Sequence, residues 1–326
     1  MHCSPGPTTA QINDELRRAD MAEATTARQD VRFFSGDGEC QAWLYLPTVA
    51  TVFTRVPIIV MAHGFGGIKE MGLDKYAERF VKRGYACLVF DYRHFGASSG
   101  EPRELIDVDR ELEDYRSAVA YARTVPEADP DRVVLWGTSF AGGHVTVTAA
   151  DDPRIAATIA QCPFTDGFAA GKRMPFFTLL RLMGRAVQDW CAARRGKEPV
   201  RVEVVGEPGE VAVMTAPDSK PGFDLLIADS GLTNWRSQVP ARVMFQVPRY
   251  IPGRRAKDVR TPILFCICDG DSVTPSGETD RYAAQAVHGE VRHYRAGHFD
   301  IYVGEPFETV IRDQIRFLER NVPVVR

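Results

Sequence analysis

Long apolar runs are missing from this chain of 326 residues. No stretch of ~18 apolar residues occurs, so no helix is expected to span a bilayer. Residues 1–11 contain no apolar h-region, so no secretory signal is expected. A dominant charge is missing too. The 40 Lys plus Arg stand against 43 Asp plus Glu, a formal net charge of −3, which leaves no bulk field to recruit nucleic acid or an anionic membrane. Paired cysteine spacing is also absent. The seven cysteines (Cys3, Cys40, Cys87, Cys162, Cys191, Cys266 and Cys268) are odd in number and scattered, and several lie in apolar runs such as I-L-F-C-I-C. No Cys-x-x-Cys or Cys/His group has zinc spacing. Free thiols in a reducing cytoplasm are the expectation, with no metal and no cofactor. The balance of 44% hydrophobic and 25% charged residues excludes a disordered chain or a small disulfide scaffold. A chain this long buries roughly three quarters of its unfolded surface, so it needs no staple.

What is present is an alternation. After a polar arm, 1–28, read as an extension or short helix on the domain surface, two strands at 31–35 and 40–46 flank the turn G-D-G. P-I-I-V-M-A-H, from Pro57, is a continuous apolar run that ends at glycine and reads as a strand buried on both faces. A helix is expected over 71–83, with Leu73, Tyr76, Ala77, Phe80 and Val81 on one face and Gly84 ending it. Y-A-C-L-V-F-D is a second buried strand. A second helix carries Leu105, Val108, Leu112, Tyr115, Val119 and Ala122 in steps of three and four. R-V-V-L-W-G, a helix from A-G-G-H, and R-I-A-A-T-I-A-Q continue the pattern, which resumes at T-P-I-L-F-C-I-C and closes with a helix over 307–320. Strands alternating with amphipathic helices indicate an α/β fold, a mostly parallel sheet with helices on both faces. Chemistry is then expected in the loops at the strand carboxyl ends.

Residues 164–250 interrupt the alternation. They contain an apolar helix over 176–191, broken by Arg181, Arg185 and Asp189, and then V-R-V-E-V-V-G-E-P-G-E-V-A-V-M, which reads as a hairpin around Glu207-Pro208-Gly209. The block is read as an inserted cap over the sheet edge, leaving 29–163 and 251–326 as the core. The alternative is that its helix is simply packed core. Phe176, Phe177, Leu179, Leu180, Met183 and Trp190 suit an apolar pocket wall.

Four loops after strands carry residues that suit chemistry. G-T-S-F-A-G-G (137–143) follows R-V-V-L-W and sets Ser139 between Gly137 and Ala141. A sharp strand-to-helix turn strains the nucleophile and crowds its neighbours, so small residues are needed there. Such a string arises by composition in roughly one chain of this size in four; its place between a buried strand and a helix gives it weight. M-A-H-G-F-G-G (61–67) can bring the Phe65 amide beside that of Phe140, two donors for a developing oxyanion, or it is a plain glycine turn. D-G-D-S-V-T-P (269–275) offers Asp269 and Asp271. Asp271 is preferred because it lies one loop turn past the strand and S-V-T-P helps to fix it. V-R-H-Y-R-A-G-H (291–298) offers His293, within a strand pattern, and His298, after a loop glycine and therefore favoured as a base. His63 and His144 read as structural, and His2, His94 and His288 have no partner evident in the sequence.

Ser139, Asp271 and His298 thus follow in the order serine, aspartate, histidine, each just after a strand. A serine hydroxyl needs a base to take its proton, and the base needs an acid to hold its tautomer. Over about residues 30–320 the chain resembles the α/β-hydrolase superfamily. The residues that carry the resemblance are the elbow G-T-S-F-A at 137–141, H-G-F-G-G at 63–67, D-S-V-T-P at 271–275 and G-H at 297–298. F-D-Y-R-H-F-G-A-S-S-G (90–100) is similar to that family's D-x-R-G-x-G-x-S loop, with His94 where glycine is usual. Ala141 replaces the usual elbow glycine, and Cys268 stands where many relatives have glycine.

Within the superfamily the chain looks most like dienelactone-hydrolase-like and X-Pro-peptidase-like esterases and polyketide-transferase-like proteins of secondary metabolism. The resemblance implies an α/β-hydrolase fold and cofactor-free acyl transfer to a small-molecule ester, thioester or lactone. Ser139, Asp271 and His298 would be catalytic, with the Phe65 and Phe140 amides as the oxyanion hole. Acyl transfer or cyclisation by the same residues is the alternative, with a peptidase or a catalytically silent ligand-binding protein behind it. The N-terminal arm offers a homodimer contact that nothing in its residues requires.

Overall fold

The computed structural model describes residues 27–233 and 235–324. The expected arm at 1–28 falls outside them except for its last two residues, which open the first strand. Strands β1 (Ala27–Ser35) and β2 (Gly38–Leu46) form an antiparallel hairpin around Gly36-Asp37, at the expected turn. They are longer than the apolar pattern alone shows.

Strands β3 (Val56–Ala62), β4 (Ala86–Phe90), β5 (Ala128–Thr138), β6 (Ala157–Gln161), β10 (Ile263–Cys268) and β11 (Gly289–Tyr294) complete an eight-stranded sheet ordered β1-β2-β4-β3-β5-β6-β10-β11. Only β1–β2 and β2–β4 pair antiparallel; the remaining neighbours are parallel. Every residue of β3, β4, β6 and β10 is buried. Consecutive buried residues along a strand require cover on both faces, which explains their unbroken apolar runs.

The cover comes from helices α1 (Leu73–Val81), α2 (Val108–Ala122), α3 (Phe140–Asp151), α7 (Ser276–Ala283) and α8 (Gly304–Asn321). Helix α2 starts at Val108, not at Leu105, because the Asp107 side chain accepts the Arg110 N–H and caps it there. Buried aromatics lock the layers together through their polar tips. Tyr115 donates to the Trp136 carbonyl at 2.8 Å, and the Trp136 indole donates to Gln314 at 3.0 Å.

Between β6 and β10 the chain forms α4 (Gly167–Arg173), α5 (Phe176–Arg194), β7 (Arg201–Val205), β8 (Ala212–Met214), α6 (Ser219–Asp229) and β9 (Gln238–Pro240), followed by short 3₁₀ turns. The expected hairpin at Glu207-Pro208-Gly209 is not formed. Strand β8 runs parallel to β7, with Glu203 opposite Ala212, and the antiparallel partner of β7 is β9. The turn itself exists, since Glu210 N–H donates to the Glu207 carbonyl. Residues 206–211, however, carry the chain back alongside β7 before it pairs, so β8 repeats the direction of β7.

Helix α5 also departs from expectation. Its buried stripe is Thr178, Leu182, Ala186 and Asp189. Asp189 accepts from Arg242 Nε and Nη2, at 2.6 and 3.1 Å, and from the backbone N–H groups of Val200 and Arg242. The acid that interrupts the apolar pattern therefore holds this segment together. Phe176, Phe177, Leu180 and Trp190, expected in a pocket wall, are exposed.

Candidate active site

Strand β5 ends in the tight turn that delivers Ser139. This serine has φ 55° and ψ −118°, a conformation costly for a side chain with a β-carbon and held only when the surroundings over-determine it. Here they do: Ser139 N–H donates to the Gln161 carbonyl at 2.8 Å, and its carbonyl accepts from Gly142 and Phe164. A β-carbon on Gly137 would lie 2.3 Å from the Ala141 carbonyl oxygen, so glycine is required there. Ala141 fits as it stands and is buried.

Three separate loops meet at this turn. His298, from the loop after β11, places Nε2 2.9 Å from Ser139 Oγ, and its Nδ1 lies 2.6 Å from Asp271 Oδ2. Asp271, from the loop after β10, is itself fixed. It accepts the N–H groups of Val273 and Thr274 and the Thr274 hydroxyl, at 2.8, 2.6 and 2.7 Å. The S-V-T-P sequence thus serves the role expected of it. Asp269 goes elsewhere: it faces solvent and pairs with His293, whose other nitrogen reaches Asp280. All three of Ser139, Asp271 and His298 are buried, in a setting where a charge is poorly solvated and hydrogen bonds count for more.

The glycine loop after β3 packs onto the same serine, with Gly64 in direct contact with it. The Phe65 and Phe140 rings meet edge to face at 5.3 Å. Among the described residues neither amide N–H has an acceptor, as groups reserved for a ligand oxygen would require. The end of the loop is anchored by Lys69, buried, whose ammonium lies 2.6 Å from Asp91 Oδ2 while its backbone N–H donates to Oδ1 at 2.8 Å. That contact was not evident in the sequence, because nothing in the spacing of Lys69 and Asp91 marks them as partners.

His63, His144 and His94 are engaged in local hydrogen bonds away from the Ser139 hydroxyl. His63 Nδ1 donates to the Gly64 carbonyl, and burial holds its imidazole below the usual value. His144 sits between Glu111 Oε2 at 2.8 Å and the Tyr250 hydroxyl at 2.7 Å; burial pushes the imidazole down to about 3 and the Glu111 carboxyl up. His94, at φ 73°, occupies a left-handed position and bonds the Pro102 carbonyl. The left-handed backbone explains why glycine is the usual residue there.

Two cavities open on Ser139. One of about 40 Å³ lies between the glycine loop, His298 and the apolar side chains of Phe223 and Leu226. The other, about 360 Å³, runs under α4 and α5 and is walled by Phe140, Phe164, Met174, Leu179, Met214 and Met244. Of the apolar side chains expected to wall a pocket, only Leu179 lines it. Met214 borders both cavities and was not anticipated. Among the described residues, Arg173 is the one charged residue on the larger cavity. Among the described residues no cluster of His, Cys, Asp and Glu has the makings of a metal site, and no helix is long and apolar enough to cross a membrane.

Residues 59–312 match the alpha/beta hydrolase family. The chain belongs to that family. Among its relatives, the quorum-quenching protein AidA of Acinetobacter baumannii is 52% identical over 295 residues, covering 90% of this chain and 95% of that one. Polyketide transferase ATR5 of Stachybotrys chlorohalonatus is 31% identical, covering 91% and 98%. The fold is shared with the crystal structure of the alpha/beta hydrolase GrgF from Penicillium sp. sh18, at a TM-score of 0.77 and 24% identity, over 90% of this chain and 99% of that one.

Proposed function

We propose that this alpha/beta hydrolase cleaves a carboxylic ester, thioester or lactone bearing an apolar acyl or aryl group, through an acyl-enzyme on Ser139. The observation that carries the reading is the hydrogen-bonded chain Ser139–His298–Asp271 opening onto an apolar cavity. Ser139 Oγ attacks the carbonyl carbon as its proton passes to His298 Nε2. Asp271 holds the Nδ1 proton and stabilises the imidazolium that forms. The amides of Phe65 and Phe140 receive the oxyanion, each donor contributing ~10²–10³ in rate. His298 then protonates the leaving oxygen or sulfur and the first bond breaks. Water, deprotonated by the same imidazole, attacks the acyl-enzyme carbonyl; the acyl–Oγ bond then breaks as the imidazolium returns the proton to Ser139 Oγ, freeing the acid. No step draws on a metal or cofactor.

Residues 164–250 act as the cap in this reading, with Met174, Leu179 and Met214 forming the roof against which an acyl chain lies. The name of the 52%-identical relative, a quorum-quenching protein, supports a small signal molecule with a hydrolysable carbonyl as the substrate class. A second reading, transfer of the acyl group to an alcohol or amine, is supported by the relative named a polyketide transferase. The two differ in whether water reaches the acyl-enzyme.

A panel of p-nitrophenyl esters of graded acyl length, with thioesters and lactones alongside, tests the proposal. Turnover is expected to rise with acyl length and to fall in Ser139→Ala to the residual ~10³–10⁴ over water that binding and the oxyanion hole provide. Near-normal turnover in that variant sinks it. A competing alcohol that diverts product to a new ester faster than hydrolysis selects the transferase.

A further inference from the structure

The outer side of the segment holding α4 and α5 is built unlike an ordinary surface. On α5, Phe176, Leu180, Val187 and Trp190 fall within about 80° of arc at ~100° per residue, with Phe177 on their flank. These five side chains are between 42% and 74% exposed. They point away from the buried stripe of the same helix, so they contribute nothing to the cavity or the core. Contiguous apolar exposure of this kind marks a surface that is covered in use.

Its charge is one-sided. Residues 167–195 contain six cations, Lys172, Arg173, Arg181, Arg185, Arg194 and Arg195, all exposed. The only acid in that stretch is Asp189, which is buried and consumed by Arg242. None of the six has a carboxylate partner among the described residues, and the concentration of six such cations on one short stretch is what sets this face apart. Two of the six instead lie over exposed aromatics of this face, Arg194 over Trp190 at 3.7 Å and Lys172 over Phe168 at 4.5 Å. The near-neutral total charge conceals this because the excess acid lies in other parts of the chain.

We infer that this face docks the enzyme on an anionic lipid surface. Aromatic and aliphatic side chains would enter the headgroup boundary while the unpaired guanidinium groups meet lipid phosphates, which is the composition of an interfacial helix. A second copy of the chain fits less well, since a two-fold contact through this helix would set like charges against each other. The arrangement also has a use. Met174, Pro175 and Leu179, interleaved with the exposed residues, line the large cavity, so a lipid-dissolved substrate would meet the cavity wall where the enzyme touches the bilayer. The lipid contact does not depend on which reaction Ser139 performs.

The test is flotation of the full chain with phosphatidylcholine vesicles, with and without phosphatidylglycerol, at low and moderate ionic strength. Retention is expected only with phosphatidylglycerol, weakened by salt, and roughly tenfold or more weaker in Phe176→Ser/Phe177→Ser and in Arg194→Glu/Arg195→Glu, whose cations lie on the same side of the helix as Phe176 and Phe177. Thermal unfolding like that of the wild type shows that these surface variants remain folded. Absence of retention on anionic vesicles overturns the inference, as does equal retention of the variants. Conversion of a dimer to a monomer by Phe176→Ser/Phe177→Ser, without vesicle binding, assigns the face to self-association. Capture of an acidic protein without vesicle binding assigns it to a protein partner.

Discussion

Gly64 lies so close to Ser139 that a β-carbon at position 64 would stand 2.8 Å from the Ser139 β-carbon and 3.3 Å from the position of its hydroxyl oxygen. The glycine loop and the nucleophile turn are thus set at one mutual distance, and the amide of Phe65 is positioned by that contact. Gly64→Ala must push the two loops apart. Turnover is expected to fall by ~10²–10³, the value of one oxyanion donor. The loss of stability should stay within the ~1–3 kcal/mol of an overpacked contact. Steady-state kinetics beside a denaturant titration separate the two effects; unchanged turnover would show that residue 65 has no part in holding the oxyanion.

The two aspartates of the loop after β10 should behave oppositely. Asp271→Asn keeps the shape but no longer holds the His298 tautomer, and turnover is expected to drop by about 10⁴. Asp269→Asn loses only an exposed contact to His293 and should stay within a few-fold of the wild type, as surface pairs contribute little. Equal losses in both variants would contradict the assignment of the acid.

His293 supplies a pH signature that is independent of catalysis. The hydrogen bond that its Nδ1–H donates to Asp269, with Asp280 on the other nitrogen, raises its imidazole above the usual 6.5. A raised folded value means that the ion pair contributes fully below pH 6.5 and is lost as pH rises through the higher folded value. The group is half exposed, so the effect on stability is small. A proton-resonance titration should place His293 above 6.5, and Asp269→Asn should move it down; a midpoint at or below 6.5 in the wild type would refute the pairing.

Much of this arrangement was legible in the sequence because buried parallel strands carry unbroken apolar runs, and the loop after each run is where functional groups project. Ser139, Asp271 and His298 each follow a strand, and the fold brings those three loops to one point. The Thr274 contact to Asp271 was half legible in S-V-T-P. The direction of β8 was not, because a turn signal at Pro208-Gly209 says that the chain bends and not which strand edge it returns to. The outward side of α5 was hidden for a similar reason. A helix apolar around much of its circumference gives no sign of which stripe is covered, and here the polar Thr178 and Asp189 are inside while Phe176 and Phe177 are outside. The Lys69–Asp91 pair depends on two loops that meet only in the folded sheet.

That pair makes the most demanding prediction about stability. Lys69 and Asp91 are both buried, and their contact ties the far end of the glycine loop to the loop after β4. The Lys69 ammonium also lies 4.8 Å from the centre of the Trp43 ring and 2.8 Å from Glu70, so its surroundings are arranged for a cation. Desolvating two charges costs about as much as their attraction returns, yet removing one partner leaves the other buried and uncompensated, at ~3–5 kcal/mol. Lys69→Met should therefore lower stability by that amount. Lys69→Met with Asp91→Leu should recover part of it, although the Lys69 backbone N–H then loses its acceptor. If denaturant titration shows the single variant no less stable than the double, the ion pair is not what anchors the loop. If the single variant is destabilised but Ser139 keeps normal turnover, the anchor serves the fold and not the geometry of the Phe65 amide.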